Sequence, residues 1–251
     1  MYDLSLEQLK EIPWIHRFSK GADLPFEPLL EEIPYLLYLP FLKRPRKYNL
    51  FYIWSEIIAL VGQKRLKTLD CACGFGQIAQ ALWFKGHDVY ACDLINYFKG
   101  CEQIHFTKTD LNKDFPYQSG SFDVVLISTA LHYLDNQKHF FNESHRVLKP
   151  GGSLIFSTPN LMSLHSKKLF VEKGQLFDYS HVNRPSVLYA PFFTQYLNTL
   201  GFNLECIKGS TPLHSRKLLI FKMLNYIYLQ KTGTGLEDYS SSLIYKYIKS
   251  N

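Results

Sequence analysis

Leu69-Asp70-Cys71-Ala72-Cys73-Gly74-Phe75-Gly76 is an apolar run that ends in an acid and breaks at once into small residues. That is the signature of a strand feeding a ligand loop. Gln77 to Lys85 follows with helix-forming residues and Gly86 as a stop signal. The loop therefore opens a helix whose first N–H groups are free to bind a polar ligand. Glycines at Gly74 and Gly76 let a cofactor lie against bare backbone. The run from Gly74 to Ala79 also satisfies the dinucleotide-binding form G-x-G-x-x-A, so the turn alone leaves two cofactor classes open.

The segments beyond the loop form an ordered series. His87 to Asp93 reads as a second strand ending in an acid, and Gln103 to Asp110 as a third ending in another. Phe122 to Ile127 is apolar apart from Asp123, as expected of a central parallel strand covered on both faces. Asp123 is read as an organiser of neighbouring backbone. Asp135 is the expected cap of the next helix, whose Phe140, Phe141, Val147 and Leu148 face the sheet. Pro150-Gly151-Gly152 then turns the chain into a fifth strand, Ser153 to Ser157. Later come a helix from Pro191 to Leu200, a strand from Asn203 to Lys208, helical spacing from Ser215 to Gln230 and a final strand from Ser242 to Ile248.

Two regions fall outside this alternation. Residues 1–65, punctuated by prolines, read as an N-terminal helical cap; Ile53, Trp54, Ile57, Ile58 and Val61 share one helical face there. Residues 66–251 form the main domain. Within it 158–190 lose regular pattern and read as an irregular insertion on the substrate side, since open α/β sheets bind ligands at their strand ends.

Composition sets outer bounds. With 251 residues, 46% of them hydrophobic, the chain can bury one sizeable core. The stretch from Ile33 to Leu42 is short and carries Pro34 and Pro40, so it cannot span a bilayer. A soluble, cytoplasmic protein is expected. Five cysteines without framework spacing imply free thiols. Cys71, Cys73 and Cys92 invite a zinc reading, but no second close Cys/His pair completes a tetrahedral set, and no metal is expected. The formal charge of +6 and the basic run Lys43-Arg44-Pro45-Arg46-Lys47 fit either a solvated connection or a phosphate-bearing partner such as nucleic acid.

In the order and spacing of residues 66–160 the chain resembles the class I S-adenosylmethionine-dependent methyltransferases. The resemblance is strongest to the branch of ubiquinone-biosynthesis O-methyltransferases and small-molecule methyltransferases. It implies a Rossmann-like, doubly wound α/β fold: a seven-stranded, mostly parallel sheet with one antiparallel late strand. It also implies S-adenosyl-L-methionine as cofactor and S-adenosyl-L-homocysteine as product. Asp70 would order the loop or meet the ligand's ammonium, while Ala72, Gly74 and Gly76 would border its amino acid end. Ala72 stands where the family usually has glycine. Asp93 would take both ribose hydroxyls, for which a carboxylate offers two acceptor oxygens. Asp110 would bind the adenine amino group, with Leu111 against the ring and Ser128 at the cofactor edge of the fourth strand.

The family places its reactive edge after that fourth strand. His132 is the candidate general base there, because imidazole titrates near neutral pH. Tyr133, His165 and His181 are candidates for the acceptor side. Methyl transfer from a sulfonium is an in-line substitution that needs alignment and exclusion of water. The chain lacks an Asp/Asn-Pro-Pro-Tyr/Phe sequence after the fourth strand, a cysteine there for attack on a pyrimidine, and a G-x-x-x-x-G-K-[ST] loop. The expected acceptor is an oxygen or carboxylate of a small molecule, nucleotide sugar or glycan. The alternatives are a tRNA-modifying methyltransferase, a noncatalytic adenosylmethionine-binding protein and an NAD-binding oxidoreductase.

Overall fold

The computed structural model describes residues 45–74, 76–96, 103–174, 190–210, 240 and 242–251. Most of the expected cap and the Ser215 to Gln230 stretch lie outside them. Seven strands form one sheet: β1 Lys67–Cys71, β2 Asp88–Asp93, β3 His105–Lys108, β4 Phe122–Ile127, β5 Leu148–Pro159, β6 Phe202–Gly209 and β7 Ser242–Lys249. Their order is β3-β2-β1-β4-β5-β7-β6. β1 pairs in parallel with both β2 and β4, so the chain reverses its direction of travel across the sheet at β1. β7 runs antiparallel to both β5 and β6, as the resemblance implies. Five described helices accompany the sheet: α1 Pro45–Val61, α2 Gln77–Phe84, α3 Gln137–Val147, α4 Leu164–Lys173 and α5 Ala190–Thr199.

The two-residue period of the strands divides the core. Leu69 and Cys71, Val125 and Ile127, and Leu154 and Phe156 point to one face, where they meet Phe140, Phe141 and Val147 of α3 and Phe193 and Leu197 of α5. Val89, Ala91, Val124, Leu126 and Ile155 point to the other, against Ile53, Ile57, Ile58 and Val61 of α1 and Ile78, Ala81 and Leu82 of α2. Both faces are covered, so the inner strands are apolar nearly throughout.

Three local expectations are corrected. Pro150-Gly151-Gly152 lies inside β5 as an irregularity: the β4 register moves from Phe122↔Leu148 to Val124↔Ser153 across it. Gly152 is needed there, because a Cβ would stand 2.9 Å from the Lys149 carbonyl oxygen and 3.1 Å from that of Asp123. The cap of α3 is Asn136, whose side chain accepts from the His139 N–H, and Asp135 lies one residue outside. The stretch 158–190 contains the regular helix α4, capped by Ser163; its residues 175–189 are outside the described set.

Asp123 ties strand ends together. Its carboxylate accepts from the Lys67 N–H at 2.8 Å and from Lys149 Nζ at 2.7 Å, fixing the start of β1 against β4 and β5.

Candidate active site

Register brings the acids to one edge. Asp70 pairs with Ala91 and Leu126, and Cys71 with Cys92 and Ile127, so Ala72, Asp93 and Ser128 follow at the ends of three adjacent strands. Asp93 pairs with Lys108 of β3, two residues before Asp110. This edge lies where the strand order reverses, the position at which open α/β sheets bind ligands.

The loop after β1 is built from left-handed backbone. Ala72, Gly74 and Gly76 have φ of 54°, 55° and 77°. The Gly76 N–H donates to the Cys73 carbonyl at 2.8 Å, and the Cys73 N–H to the Cys92 carbonyl at 3.1 Å. Alanine in this conformation carries a cost of about 1–2 kcal/mol that glycine avoids. A Cβ built on Gly74 meets nothing within 4 Å, so the loop borders open space at that point.

A second strained residue faces it. Thr129, directly after β4, has φ 52°, and its N–H donates to Ser157 Oγ at 2.8 Å. A β-branched residue in the left-handed region is a marked outlier, and such strain collects at ligand sites. Ser128 Oγ beside it is buried and has no hydrogen-bond partner among the described residues.

Asp70 is 2% exposed and sits on the α2 side of β1. Burial pushes its carboxyl up to about 8, opposed by the Ala79 N–H and assisted by the negative charge of Asp93. The first turn of α2 is thus partly occupied by the protein's own carboxyl. Oδ2 of Asp70 has no hydrogen-bond partner among the described residues. A buried carboxyl with one oxygen unanswered is suited to an ammonium group, which supplies both hydrogen bonds and the missing opposite charge.

The other acids are held by backbone. Asp93 accepts from the Gly74 N–H at 2.8 Å, which links β2 to the loop, and its second oxygen lies 3.4 Å from the Ile95 N–H. Asp110 accepts from the Asn112 N–H at 3.0 Å and from Asn112 Nδ2 at 3.2 Å, with Lys113 Nζ 3.4 Å away. The Asn112 amide, with smaller contributions from Lys113, holds the Asp110 carboxyl below the usual carboxylate range. Leu111 is buried in the core cluster on the α3 face. Behind this loop, Glu143 accepts from the Phe115 N–H at 2.7 Å and is paired with Arg146, which also donates to the Phe115 and Tyr117 carbonyls.

His132 is buried in a short 3₁₀ turn, Leu131–Tyr133, immediately beyond Ser128 and Thr129. Gln137 Nε2 donates to the Leu131 carbonyl and braces the turn. The Tyr133 ring lies 4.4 Å from that of His132, and Tyr133 is 44% exposed. His165 is in the first turn of α4. His181 lies outside the described residues. Sequence reasoning passed over Thr129, Ser157 and Asn112; Asn112 alone carried a local signal, an amide two residues after an acid. Among the described residues no group of three His, Cys, Asp or Glu is placed to hold a metal, and Cys71, Cys73, Cys92 and Cys206 are free thiols. No described helix is long and apolar enough to cross a membrane.

Residues 69–156 match the model of a family described as a methyltransferase domain. A ubiquinone biosynthesis O-methyltransferase of Azoarcus sp. strain BH72 is 26% identical over 159 residues, 58% of this chain and 67% of that protein. A demethylmenaquinone methyltransferase of Clavibacter sepedonicus is 34% identical over 116 residues, 42% of this chain and 46% of its own length. The match thus spans about two thirds of the first relative and under half of the second. The fold is shared with the crystal structure of an S-adenosylmethionine-dependent methyltransferase from Mesorhizobium loti, at 19% identity and a TM-score of 0.54, covering 79% of this chain and 98% of that one.

Proposed function

We propose that the chain is a class I S-adenosylmethionine-dependent methyltransferase, on the match of residues 69–156 to a methyltransferase domain and the likeness to curated methyltransferases, and that it methylates an oxygen or carboxylate of a small molecule, nucleotide sugar or glycan. The observation that carries the cofactor assignment is the buried, unanswered Oδ2 of Asp70 beside a left-handed loop with open space at Gly74. The residues present fit the group. Asp70 takes the ammonium, and the backbone of Ala72, Gly74 and Gly76 borders the amino acid end. Asp93 accepts from the ribose hydroxyls, Asp110 accepts from the adenine amino group, and Leu111 supplies a backbone contact to the ring. Ser128 offers its hydroxyl at the edge shared with β4. When bound, S-adenosyl-L-methionine supplies a sulfonium-activated methyl group and leaves as S-adenosyl-L-homocysteine.

The chain's own contribution is positional and acid–base. His132, buried beyond the end of β4, removes the acceptor's proton as that oxygen becomes nucleophilic. Tyr133, with His165 and His181, belongs to the acceptor side. The names of the two relatives, both from quinone chemistry, favour a small-molecule acceptor over nucleic acid.

The test is transfer of label from methyl-labelled adenosylmethionine to a panel of phenols, carboxylates, nucleotide sugars, glycans and tRNA. Label is expected in a small-molecule or glycan fraction, with His132→Ala lowering turnover by about 10²–10⁴ and flattening the pH profile. Label confined to tRNA contradicts the acceptor class. Full turnover of His132→Ala across pH removes the base.

A further inference from the structure

Asn112 is bonded on both sides of its amide. Nδ2 donates to Asp110 Oδ1 at 3.2 Å, and the Asn112 backbone N–H donates to the same oxygen at 3.0 Å. On the opposite side, Asn112 Oδ1 accepts from the Asp135 N–H at 2.9 Å and from the Asn136 N–H at 3.0 Å. The partners fix the orientation of the amide: two N–H donors demand its oxygen, and a carboxylate demands its nitrogen. A flipped amide would set donor against donor and acceptor against acceptor.

These four bonds join two loops that are distant in sequence. One follows β3 and carries Asp110 and Leu111. The other follows β4, carries the 3₁₀ turn of His132 and runs through Asp135 into the cap of α3. Asn136 is the cap residue itself, so Asn112 sets where that helix begins relative to the turn before it. The 3₁₀ turn is braced from the same stretch, since Gln137 Nε2 reaches the Leu131 carbonyl at 3.2 Å. From Asp110 the connection runs through the Asn112 side chain to the backbone after His132, and on through the Gln137 side chain to the Leu131 carbonyl before it.

We propose that Asn112 is a positioning residue that couples the adenine-side carboxylate to the turn carrying His132, so that occupation of the cofactor site sets the placement of the base. The inference rests on the proposed cofactor role of Asp110. With Oδ1 taken by both Asn112 donors, Oδ2 is the oxygen left for the ligand, and among the described residues the group that stands against it is the exposed Lys113. A donor arriving at Oδ2 immobilises the carboxylate, the carboxylate holds the Asn112 amide, and the amide holds Asp135 and Asn136. Order in the reactive turn then follows order at the cofactor, which keeps a base from being fixed in place before the methyl donor is bound.

The test uses the full chain with S-adenosyl-L-homocysteine as probe, and reads affinity by calorimetry and amide exchange by mass spectrometry over residues 128–137. In the wild type the ligand slows exchange at Asp135 and Asn136. Asn112→Ala removes the acceptor, so basal exchange at those two amides rises about fivefold, as for one lost hydrogen bond, and the ligand no longer changes it. Asn112→Asp keeps the acceptor and loses the donor. Its basal exchange stays near that of the wild type, while ligand-induced slowing disappears and affinity drops beside the second carboxylate. A purely structural role would alter basal exchange and leave the ligand-induced change in place. Ligand bound normally, with the slowing retained in both variants, overturns the coupling alone. A wild type that does not bind the probe removes the cofactor reading, and the coupling with it.

Discussion

Binding of adenosylmethionine at pH 7 should release protons, and Asp70→Asn should abolish the release. The Asp70 carboxyl is buried with one oxygen unanswered, and burial raises it to about 8. At pH 7 about 0.9 of it is therefore protonated in the ligand-free protein. An ammonium placed against Oδ2 favours the carboxylate, so that proton leaves on binding. The ligand's own amino group, with an ordinary value near 8, takes up about 0.1 of a proton to become fully charged. The net release is about 0.8 proton per ligand at pH 7. At pH 9 both groups start deprotonated, and binding takes up about 0.8 instead. The assay is calorimetry in two buffers of different ionisation enthalpy at each pH. In Asp70→Asn the release at pH 7 vanishes, because the ligand amine alone titrates.

The same group shapes stability. A carboxyl raised from 3.8 to about 8 by burial costs the fold nothing while protonated in both states, and costs progressively more as pH climbs between those values. At pH 7 that cost is about 4 kcal/mol, and Asp70→Asn recovers it in the ligand-free protein. No proton release by the wild type at pH 7, or release of equal size in Asp70→Asn, would refute this account of Asp70.

Arg146→Met should lower stability by about 3–5 kcal/mol in urea unfolding, because it leaves Glu143 buried with its charge uncompensated behind the Phe115 loop. Arg146 and the Phe115 N–H hold the Glu143 carboxyl below its ordinary 4.5, so its contribution is present above that value and is lost as pH falls below it in an acid titration of unfolding. Gly152→Ala should cost about 1–3 kcal/mol by thermal melting, since the new methyl enters 2.9 Å from the Lys149 carbonyl; an unchanged melting temperature would show that the β5 irregularity yields easily.

The strand edges are readable in sequence because each carries two signals at once: an apolar alternation set by the pleat, and an acid where the chain leaves the sheet. Register sets Asp70 and Asp93 near the ends of adjacent strands, and Asp110 follows β3 by two residues. What the sequence hides is backbone conformation at residues that disfavour it. Alanine at 72 and threonine at 129 give no hint of positive φ, and threonine argues against it. The choice between Asp135 and Asn136 as helix cap is likewise not local: both residues cap well, and Asn112, twenty-four residues earlier than Asn136, decides the boundary by taking both N–H groups. The Pro150-Gly151-Gly152 run carries turn chemistry, yet the strand continues through it and the β4 register shifts across it, so it stands as an irregularity within β5.

The measurement that bears most directly on the central claim is calorimetric titration of the purified protein with adenosylmethionine, adenosylhomocysteine and NAD. Saturable binding of both sulfur ligands, weakened in Asp93→Ala, with NAD bound weakly or undetectably, is the predicted result. Tight NAD binding without either sulfur ligand would contradict it.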